Sequence, residues 1–208
     1  MVVTKHFATH GKKYRRRLIK YILNPDKTDN LKLVSDFGMS NYLDFPSHAE
    51  MVEMYNVNFT NNDKLYESRN DRQEKHQQTI HAHHLIQSFS PEDDLTPQEI
   101  HEIGRKTILE LTGGQHEFVI ATHMDKGHIH NHIIFNSTNS VTLKKFRWQK
   151  GTKKSLENIS DKYADLAGAK ILKERLWTNR KTYHAYRKKN SFRYEIKSRI
   201  DFLLKHST

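Results

Sequence analysis

Four of the chain's 15 histidines fall within ten consecutive positions, at His123, His128, His130 and His132. Imidazole is the commonest transition-metal ligand in proteins. A strand places residues i, i+2 and i+4 on one face, so the last three would project together, and a turn at 125–127 would bring His123 beside them. A solvated histidine tract is the alternative, but apolar neighbours put the imidazoles at the edge of a core, where unpaired polar groups are costly. The pattern therefore predicts a metal site of three or four imidazoles.

The composition limits the chemistry of such a site. The chain of 208 residues has no cysteine, which excludes disulfides and thiolate zinc sites. A histidine site without sulfur suits Mn, Zn, Co or Ni. With 35% hydrophobic residues, the chain can bury one sizeable core but is lean for two. No apolar run approaches the roughly twenty residues that span a bilayer, and no signal peptide is recognisable, so we expect a soluble, intracellular protein.

Positive charge is concentrated in two segments of the chain. The net charge is +11, and 19 of the 35 Lys and Arg residues, against 6 of the 24 Asp and Glu residues, lie in 144–208. Such concentration is the footprint of a polyanion partner, and aromatic residues among these cations could stack on bases. Solvated helix faces and core aromatics are the alternative. A second basic cluster, at 12–20, adds candidate contacts to nucleic acid: Arg15, Arg16, Arg17 and Lys20.

Local patterns predict a mixture of strands and helices. An amphipathic helix is expected over 13–23, and Asn-Pro-Asp after it places Tyr21 in its last turn. Thr96 and Glu99 form a capping box for a helix that runs to about residue 111. Strands are expected at 82–89, 118–123 and 128–136.

The remaining segments give weaker signals. Residues 24–80 are polar, with helices predicted only near 48–55 or 69–80. Helical spacing recurs at 156–166, after a Ser155 cap, and at 192–203. The order of elements favours an α+β fold, an antiparallel sheet of about five strands with helices packed on it, followed by a C-terminal helical extension.

A histidine-held divalent ion between basic surfaces indicates phosphoryl transfer, because the metal can stabilise charge that develops on the phosphate. The nucleophile could be a water, as in a hydrolytic nuclease, or a side chain, as in a covalent DNA-joining enzyme. Asn136 shares the alternation of the histidines and could support the ligands or the substrate, or be a plain strand-end asparagine. A non-catalytic DNA-binding module with a structural metal is the other alternative.

Three segments, in order, resemble the motifs of conjugative relaxases, in particular the mobilisation (MOBP) class of HUH-type endonucleases. Residues 18–28 are similar to the nucleophile motif, 84–89 with the helix at Thr96 to the second motif, and 123–136 to the three-histidine motif. The resemblance covers roughly residues 1–172. We therefore expect a HUH relaxase-like catalytic core at 1–150, and a basic helical extension at 151–208 that contacts DNA or docks accessory proteins.

The resemblance implies a metal-dependent transesterase that nicks one DNA strand at an origin of transfer and later rejoins it. Tyr21 would attack the scissile phosphate, leaving a 5′-phosphotyrosyl enzyme and a free 3′-hydroxyl. Asp125 would orient a histidine or help to take the tyrosine proton, and His128 stays open as a ligand or phosphate contact. The ion would be Mn²⁺ or Mg²⁺, or otherwise Zn, Co or Ni. Its ligands would be His123, His130 and His132.

Two details and the partners complete the expectation. Tyr14 lies seven residues before Tyr21 on the same helix, but the Asn-Pro-Asp-Lys-Thr segment follows Tyr21, which favours Tyr21. The triplet at 130–132 matches the letters of HNH nucleases without their usual spacing. The expected partners are single-stranded and hairpin or duplex DNA, together with accessory relaxosome and secretion coupling proteins, in the bacterial cytoplasm during plasmid or transposon mobilisation.

Overall fold

Five β-strands form one sheet in the computed structural model, which describes residues 2–41, 46–70, 79–125, 127–171 and 196. Each strand pairs antiparallel with its neighbours, in the order β1-β3-β5-β4-β2. The predicted antiparallel sheet of an α+β fold is therefore confirmed. The strands are β1 (Val2–His10), β2 (Val34–Phe37), β3 (Ile80–Phe89), β4 (Phe118–His123) and β5 (His130–Asn136).

Four α-helices pack on the two faces of this sheet. Alternation along the strands divides the core: Ala82, Val119 and Ile134 pack with α1 and α2, while Leu85, Phe118 and Ile133 pack with α3 and α4. No helix in the described part of the chain combines the length and hydropathy needed to cross a bilayer. The helices are α1 (Lys12–Ile22), α2 (His48–Asn70), α3 (Pro97–Thr112) and α4 (Thr152–Leu166), and a 3-10 turn covers Pro25–Lys27.

The ends of α1 and α3 follow their sequence signals. Thr96 Oγ1 accepts a hydrogen bond from Glu99 N at 3.2 Å, and Glu99 Oε2 accepts one from Thr96 N at 2.7 Å. Gly113 ends α3 in the left-handed conformation, with φ of 64°. After α1, the side chain of Asn24 accepts a hydrogen bond from Asp26 N at 3.0 Å, which starts the 3-10 turn. Both helix positions are confirmed.

Two helices differ from the sequence prediction. Helix α2 is one continuous helix of 23 residues, where short pieces were expected. Its first half buries Val52, Tyr55 and Phe59 at helical spacing, but its second half buries the polar Asn62 and Asp63, so the apolar stripe stops halfway along the helix. Helix α4 begins at Thr152, ahead of the expected Ser155 cap.

The compact unit that contains the sheet extends from Met1 to Ile171. Helix α4 belongs to it because Leu156 and Ala164 are buried in its core. The predicted boundary at 150–151 therefore falls inside this unit, where a buried helix face continues the core. Residues 172–208 form a second unit, and the helix predicted at 192–203 lies outside the described residues apart from Ile196, which is helical and exposed.

Candidate active site

Three histidines meet where β4 ends and β5 begins. His123 and His130 are directly paired across the two strands, and His132 follows two residues later on the same face. One ring nitrogen from each residue lies within 4.8 Å of those of the other two, and all three residues are buried. We call His123, His130 and His132 the histidine triad. Antiparallel pairing and strand alternation bring its members together, although seven residues separate His123 from His130.

Each ring of the triad uses one nitrogen in a contact with a neighbour. His123 Nε2 donates to the Ile22 carbonyl at 2.8 Å, and His130 Nδ1 donates to the His128 carbonyl at 3.3 Å. His132 Nδ1 lies 2.9 Å from His84 Nε2. A protonated nitrogen that faces an acceptor leaves the other nitrogen as the one able to ligate, which is the usual arrangement of metal-bound histidines. The donor set of three imidazoles therefore fits a transition-metal ion.

Burial favours the neutral imidazole at two positions of this cluster, His130 and His84. It lowers the pKa of His130 below its ordinary value, and nearby histidine charges act in the same direction. It also lowers the pKa of His84 to about 4, again with a smaller contribution from His123 and His6. Neutral imidazole is the form that binds metal, so the lowered pKa of His130 favours its use as a ligand at neutral pH.

A tyrosine, Tyr21, lies beside the triad. It lies in the last turn of α1, and its ring centroid is 5.5 Å from that of His132 and 5.8 Å from that of His123. Its side chain remains 46% exposed, so a substrate can reach it. The hydrogen bond from His123 to the Ile22 carbonyl ties the end of α1 directly to the triad.

Lys27 and Asp125 form an ion pair next to Tyr21. Lys27 Nζ lies 2.9 Å from Asp125 Oδ2 and 4.9 Å from the centroid of the Tyr21 ring. The hydrogen bond from Lys27 lowers the pKa of Asp125, and the same bond raises the pKa of Lys27. Asp125 is therefore an ionised partner of Lys27. The sequence analysis assigned no role to Lys27, although it lies inside the segment similar to the nucleophile motif.

The comparison with protein families decides the assignment. Residues 21–168 match the family of MobA/VirD2-like relaxase nuclease domains. This chain belongs to that family. The match begins at Tyr21 and includes the triad, so the relaxase resemblance of the sequence motifs is confirmed. It also includes α4, which agrees with a relaxase nuclease domain that extends past residue 150.

Two named relatives support the relaxase assignment. The chain is 37% identical, over 250 aligned residues, to the group II intron-interrupted relaxase LtrB of Lactococcus lactis subsp. cremoris; the alignment covers 100% of this chain and 44% of LtrB. Protein rlx of Staphylococcus aureus is 32% identical over 126 residues, which cover 58% of this chain and 37% of rlx. The chain therefore spans less than half the length of these relatives.

Among solved structures, one entitled "Molecular Basis of Vancomycin Resistance Transfer in Staphylococcus aureus" aligns with 82% of this chain and 96% of that chain. The TM-score is 0.47 and the identity 12%, which is too weak a likeness to add to the relaxase assignment.

The basic side chains of α1 have different environments in the relaxase domain. Arg15 is buried, and its guanidinium lies 2.6 Å from Asp63 Oδ2 and 2.8 Å from Thr60 Oγ1. Arg15 therefore lies in the core between α1 and α2, where it cannot serve as the surface contact to nucleic acid expected from the sequence. Among the other three predicted contacts, Arg16 pairs with Glu53 on the surface, and Arg17 and Lys20 are exposed.

The side chain of Asn131 does not belong to the histidine site, so the HNH letters at 130–132 do not describe one group of site residues. Its side chain is buried and donates to Gln87 Oε1 at 3.0 Å and to the Ile100 carbonyl at 2.6 Å, and it accepts from Thr122 Oγ1 at 2.7 Å. These partners lie with α3, on the face of the sheet opposite the triad. The triplet at 130–132 thus consists of two histidines of the triad on either side of an asparagine that is hydrogen-bonded on the opposite face.

Asn136 also has a structural position. It lies at the far end of β5 from the triad, where its side chain donates to Glu117 Oε2 at 3.0 Å and to the Phe59 carbonyl at 3.2 Å. The residue that does support the triad, and that the sequence analysis left without a role, is His84. Its place in the segment 84–89, which is similar to the second relaxase motif, was the available signal.

Proposed function

We propose that this domain nicks and rejoins one DNA strand at an origin of transfer by metal-dependent tyrosine transesterification, during mobilisation of a plasmid or transposon. Family membership supports DNA nicking for mobilisation, because MobA/VirD2-like relaxase domains are nucleases. The covalent route rests on one observation: an exposed tyrosine ring lies next to three buried imidazoles that can hold a cation.

In this proposal Tyr21 is the nucleophile. Its phenolic oxygen forms a bond to the scissile phosphorus while the bond from phosphorus to the 3′-oxygen breaks. The tyrosine loses its proton, the 3′-oxygen becomes a hydroxyl by gaining one, and the 5′-phosphate stays on Tyr21. Attack by the 3′-hydroxyl on the phosphotyrosine reverses these steps and rejoins the strand. Bond energy is thereby conserved, which a hydrolytic nuclease would lose.

The histidine triad would hold the metal, whose contribution when bound is to withdraw negative charge from a phosphate oxygen. Mn²⁺ or Mg²⁺ is the expected ion. Three imidazoles suit a transition metal better than Mg²⁺, which prefers oxygen ligands, so Mn²⁺ is the first ion to test. His84 would fix the ring of His132 through the 2.9 Å contact.

Lys27 and Asp125 would assist the nucleophile Tyr21 as an ion pair. The ammonium of Lys27 lies 4.9 Å from the centroid of the Tyr21 ring and would place a positive charge beside the reacting phosphate. We assign Asp125 the role of holding Lys27 over the ring, since its carboxylate is bound to Lys27 at 2.9 Å. Direct proton transfer from Tyr21 to Asp125 is the less favoured role, because its lowered pKa makes it a weak base.

The test uses labelled single-stranded DNA pools that contain candidate origins of transfer, incubated with the protein and Mn²⁺ or EDTA. A DNA adduct that survives boiling in detergent is expected with Mn²⁺ and not with EDTA. Tyr21→Phe should abolish it, and Tyr14→Phe, on the same helix, should retain it. Nicking without an adduct, unaffected by Tyr21→Phe, would support a water-using nuclease instead. Binding without nicking would support a non-catalytic module.

A further inference from the structure

A groove adjoins Tyr21, and its lining residues do not include Lys27 or Asp125. It has a volume of about 490 Å³ and lies between α1 and the C-terminal half of β1. Its α1 wall is a single stripe, because positions 14, 17, 18 and 21 follow helical spacing. The lining residues are Phe7, Ala8, Thr9, Tyr14, Arg17, Leu18, Tyr21 and His84. We call this the aromatic groove.

Three of its aromatic side chains are unusually open to solvent. Phe7 is 42% exposed, Tyr14 56% and Tyr21 46%. Single exposed apolar residues need no explanation, but three aromatic rings that line one groove mark a binding surface. Flat rings with two side-chain torsions offer stacking area at a low entropic cost. The groove is therefore built to accept flat apolar groups.

The charge beside the rings specifies the kind of ligand. Arg17 lines the groove, and Lys20 is exposed on the same helix. Aromatic rings beside cations bind single-stranded nucleic acid, since the bases stack and the cations contact the phosphates. A paired base cannot offer its face in this way, so duplex DNA is a poorer match.

The groove is also continuous with the nucleophile. Tyr21 forms part of its wall. A strand whose phosphate lies at the Tyr21 hydroxyl can therefore extend its neighbouring nucleotides along this groove. Tyr14 is seven residues from Tyr21, or about 10 Å along the helix axis at 1.5 Å per residue. That length suits about two nucleotides.

We propose that the aromatic groove binds one or two unpaired bases next to the scissile phosphate, by stacking on Tyr14 and Phe7 with Arg17 on the backbone. The inference rests on the proposed function for the identity of the strand. It adds a subsite that holds the unpaired strand beside the nucleophile. It also gives Tyr14 a role in binding DNA rather than in the reaction itself.

The first experiment measures binding without chemistry, in the Tyr21→Phe background. The probes are an oligothymidylate and the same oligonucleotide with abasic sites in place of its central bases. Tyr14→Leu and Phe7→Leu remove the ring but keep an apolar side chain. Each should weaken binding of the oligothymidylate by roughly 5- to 150-fold, which corresponds to about 1–3 kcal/mol for the loss of one base stack. Neither should weaken binding of the abasic probe.

The control is Leu65→Ala, which shortens a side chain of α2 that is 58% exposed and does not line the groove. It should bind both probes like the parent protein. Thermal unfolding of every variant confirms that the fold is intact. Equal affinity of the Tyr14→Leu and parent proteins for the oligothymidylate would overturn the proposal, and so would an equal loss with both probes, which indicates a contact to the backbone.

A second experiment maps the subsite on a strand that the wild-type protein nicks, with one abasic site at each position in turn. The effect of Tyr14→Leu on affinity should vanish at one or two positions adjacent to the nick. Vanishing only at distant positions would contradict the placement beside Tyr21. If the wild-type protein forms no adduct, the proposed function fails, whereas the homopolymer experiment still decides whether the groove stacks bases.

Discussion

Both faces of the sheet carry histidines, but among the described residues only one face brings three of them together as a candidate metal site. On the face with α1 and α2, His123, His130 and His132 direct nitrogens toward one another. On the face with α3 and α4, His6 stacks on Trp148 at 3.5 Å and His83 stacks on Phe135 at 4.8 Å between ring centroids. The histidines of the two faces therefore differ in their contacts: nitrogens converge on one face, and rings stack on aromatic neighbours on the other.

Neighbouring residues of β3 make the same contrast within one strand. His83 packs among aromatic rings and contacts His6 Nε2 at 2.9 Å, while His84, on the opposite face, contacts His132. Burial lowers the pKa of His83 to about 3 and that of His84 to about 4, so both are neutral. Low pKa does not distinguish ligand from packing residue, whereas convergence of nitrogens does.

The largest expected effect is the loss of Mn²⁺ affinity in His132→Ala. The matched control on the other face of the sheet is His83→Phe. Removal of a ligand should weaken Mn²⁺ binding by at least about 100-fold, because loss of mere supporting contacts already costs 10- to 100-fold. His83→Phe keeps a ring among rings and should bind Mn²⁺ normally. Electron paramagnetic resonance of free Mn²⁺ measures both. Similar weakening by the two variants would remove the distinction between the faces.

His128→Ala completes this series because His128 lies outside the triad in the described structure. Its backbone carbonyl, which the change retains, is what contacts His130. Unchanged Mn²⁺ affinity is expected, and a loss like that of His132→Ala would make His128 a fourth ligand.

The next effect concerns the ion pair that anchors α1. Burial alone would raise the pKa of Asp63, but His81, Arg15 and Lys145 together hold it well below its usual range. Arg15→Met leaves this carboxylate without its closest cation and should lower the free energy of unfolding by roughly 3–5 kcal/mol. Urea denaturation measures this loss.

The double variant Arg15→Met with Asp63→Leu is the control for this ion pair. It should recover much of the stability because no buried charge is left unpaired. A double variant as unstable as Arg15→Met alone would show that the charge was not the cause.

On the face of the sheet opposite the triad, Gly104→Ala should destabilise the fold without changing the affinity for Mn²⁺. A Cβ at this position would lie 2.4 Å from Asn131 Nδ2 and 2.6 Å from Ile120 Cδ1. Asn131 cannot move freely, since its amide makes three buried hydrogen bonds, so overpacking of roughly 1–3 kcal/mol is expected. Urea denaturation should show the loss, with Mn²⁺ affinity of the folded protein unchanged. A large fall in affinity would mean that the faces are not independent.

The smallest effect is the pH dependence of stability. Unfolded histidines have a pKa of about 6.5, whereas burial lowers the pKa of His83 to about 3 in the folded protein. Between pH 6.5 and 5 the unfolded chain gains a proton that the folded chain does not, so stability is full above pH 6.5 and falls as the pH decreases. Denaturation curves at several pH values should show this fall, and His83→Phe should reduce its slope. An unchanged slope would contradict the assignment.

The sequence predicted the strands and helices around the site better than it predicted the environments of the buried polar side chains. The sequence pattern correctly indicated that His123, His130 and His132 converge, although β5 begins at His130 and leaves His128 outside the strand, and the capping box located α3. The environment of Arg15 was not predictable, because its partner Asp63 lies 48 residues away on a helix with little apolar periodicity. Asn131 was ambiguous for a similar reason, since only the sheet reveals which face its amide occupies.

The aromatic groove illustrates the same limit. Phe7 and Tyr14 belong to different elements, and only the packing of α1 beside β1 brings them together. Local patterns report spacing along one element, whereas a binding surface depends on which elements are neighbours. The predicted partners in the relaxosome and secretion apparatus, and the role of the basic extension, stay predictions.

The most direct test of the account is to identify the residue that carries the DNA. The Mn²⁺-dependent adduct would be digested with protease and nuclease, and the nucleotide-bearing peptide sequenced by mass spectrometry. The account predicts a 5′-phosphate linked to Tyr21 and a free 3′-hydroxyl on the other product. A phosphate on Tyr14, a linkage through any other side chain, or a 3′-phosphate product would contradict it.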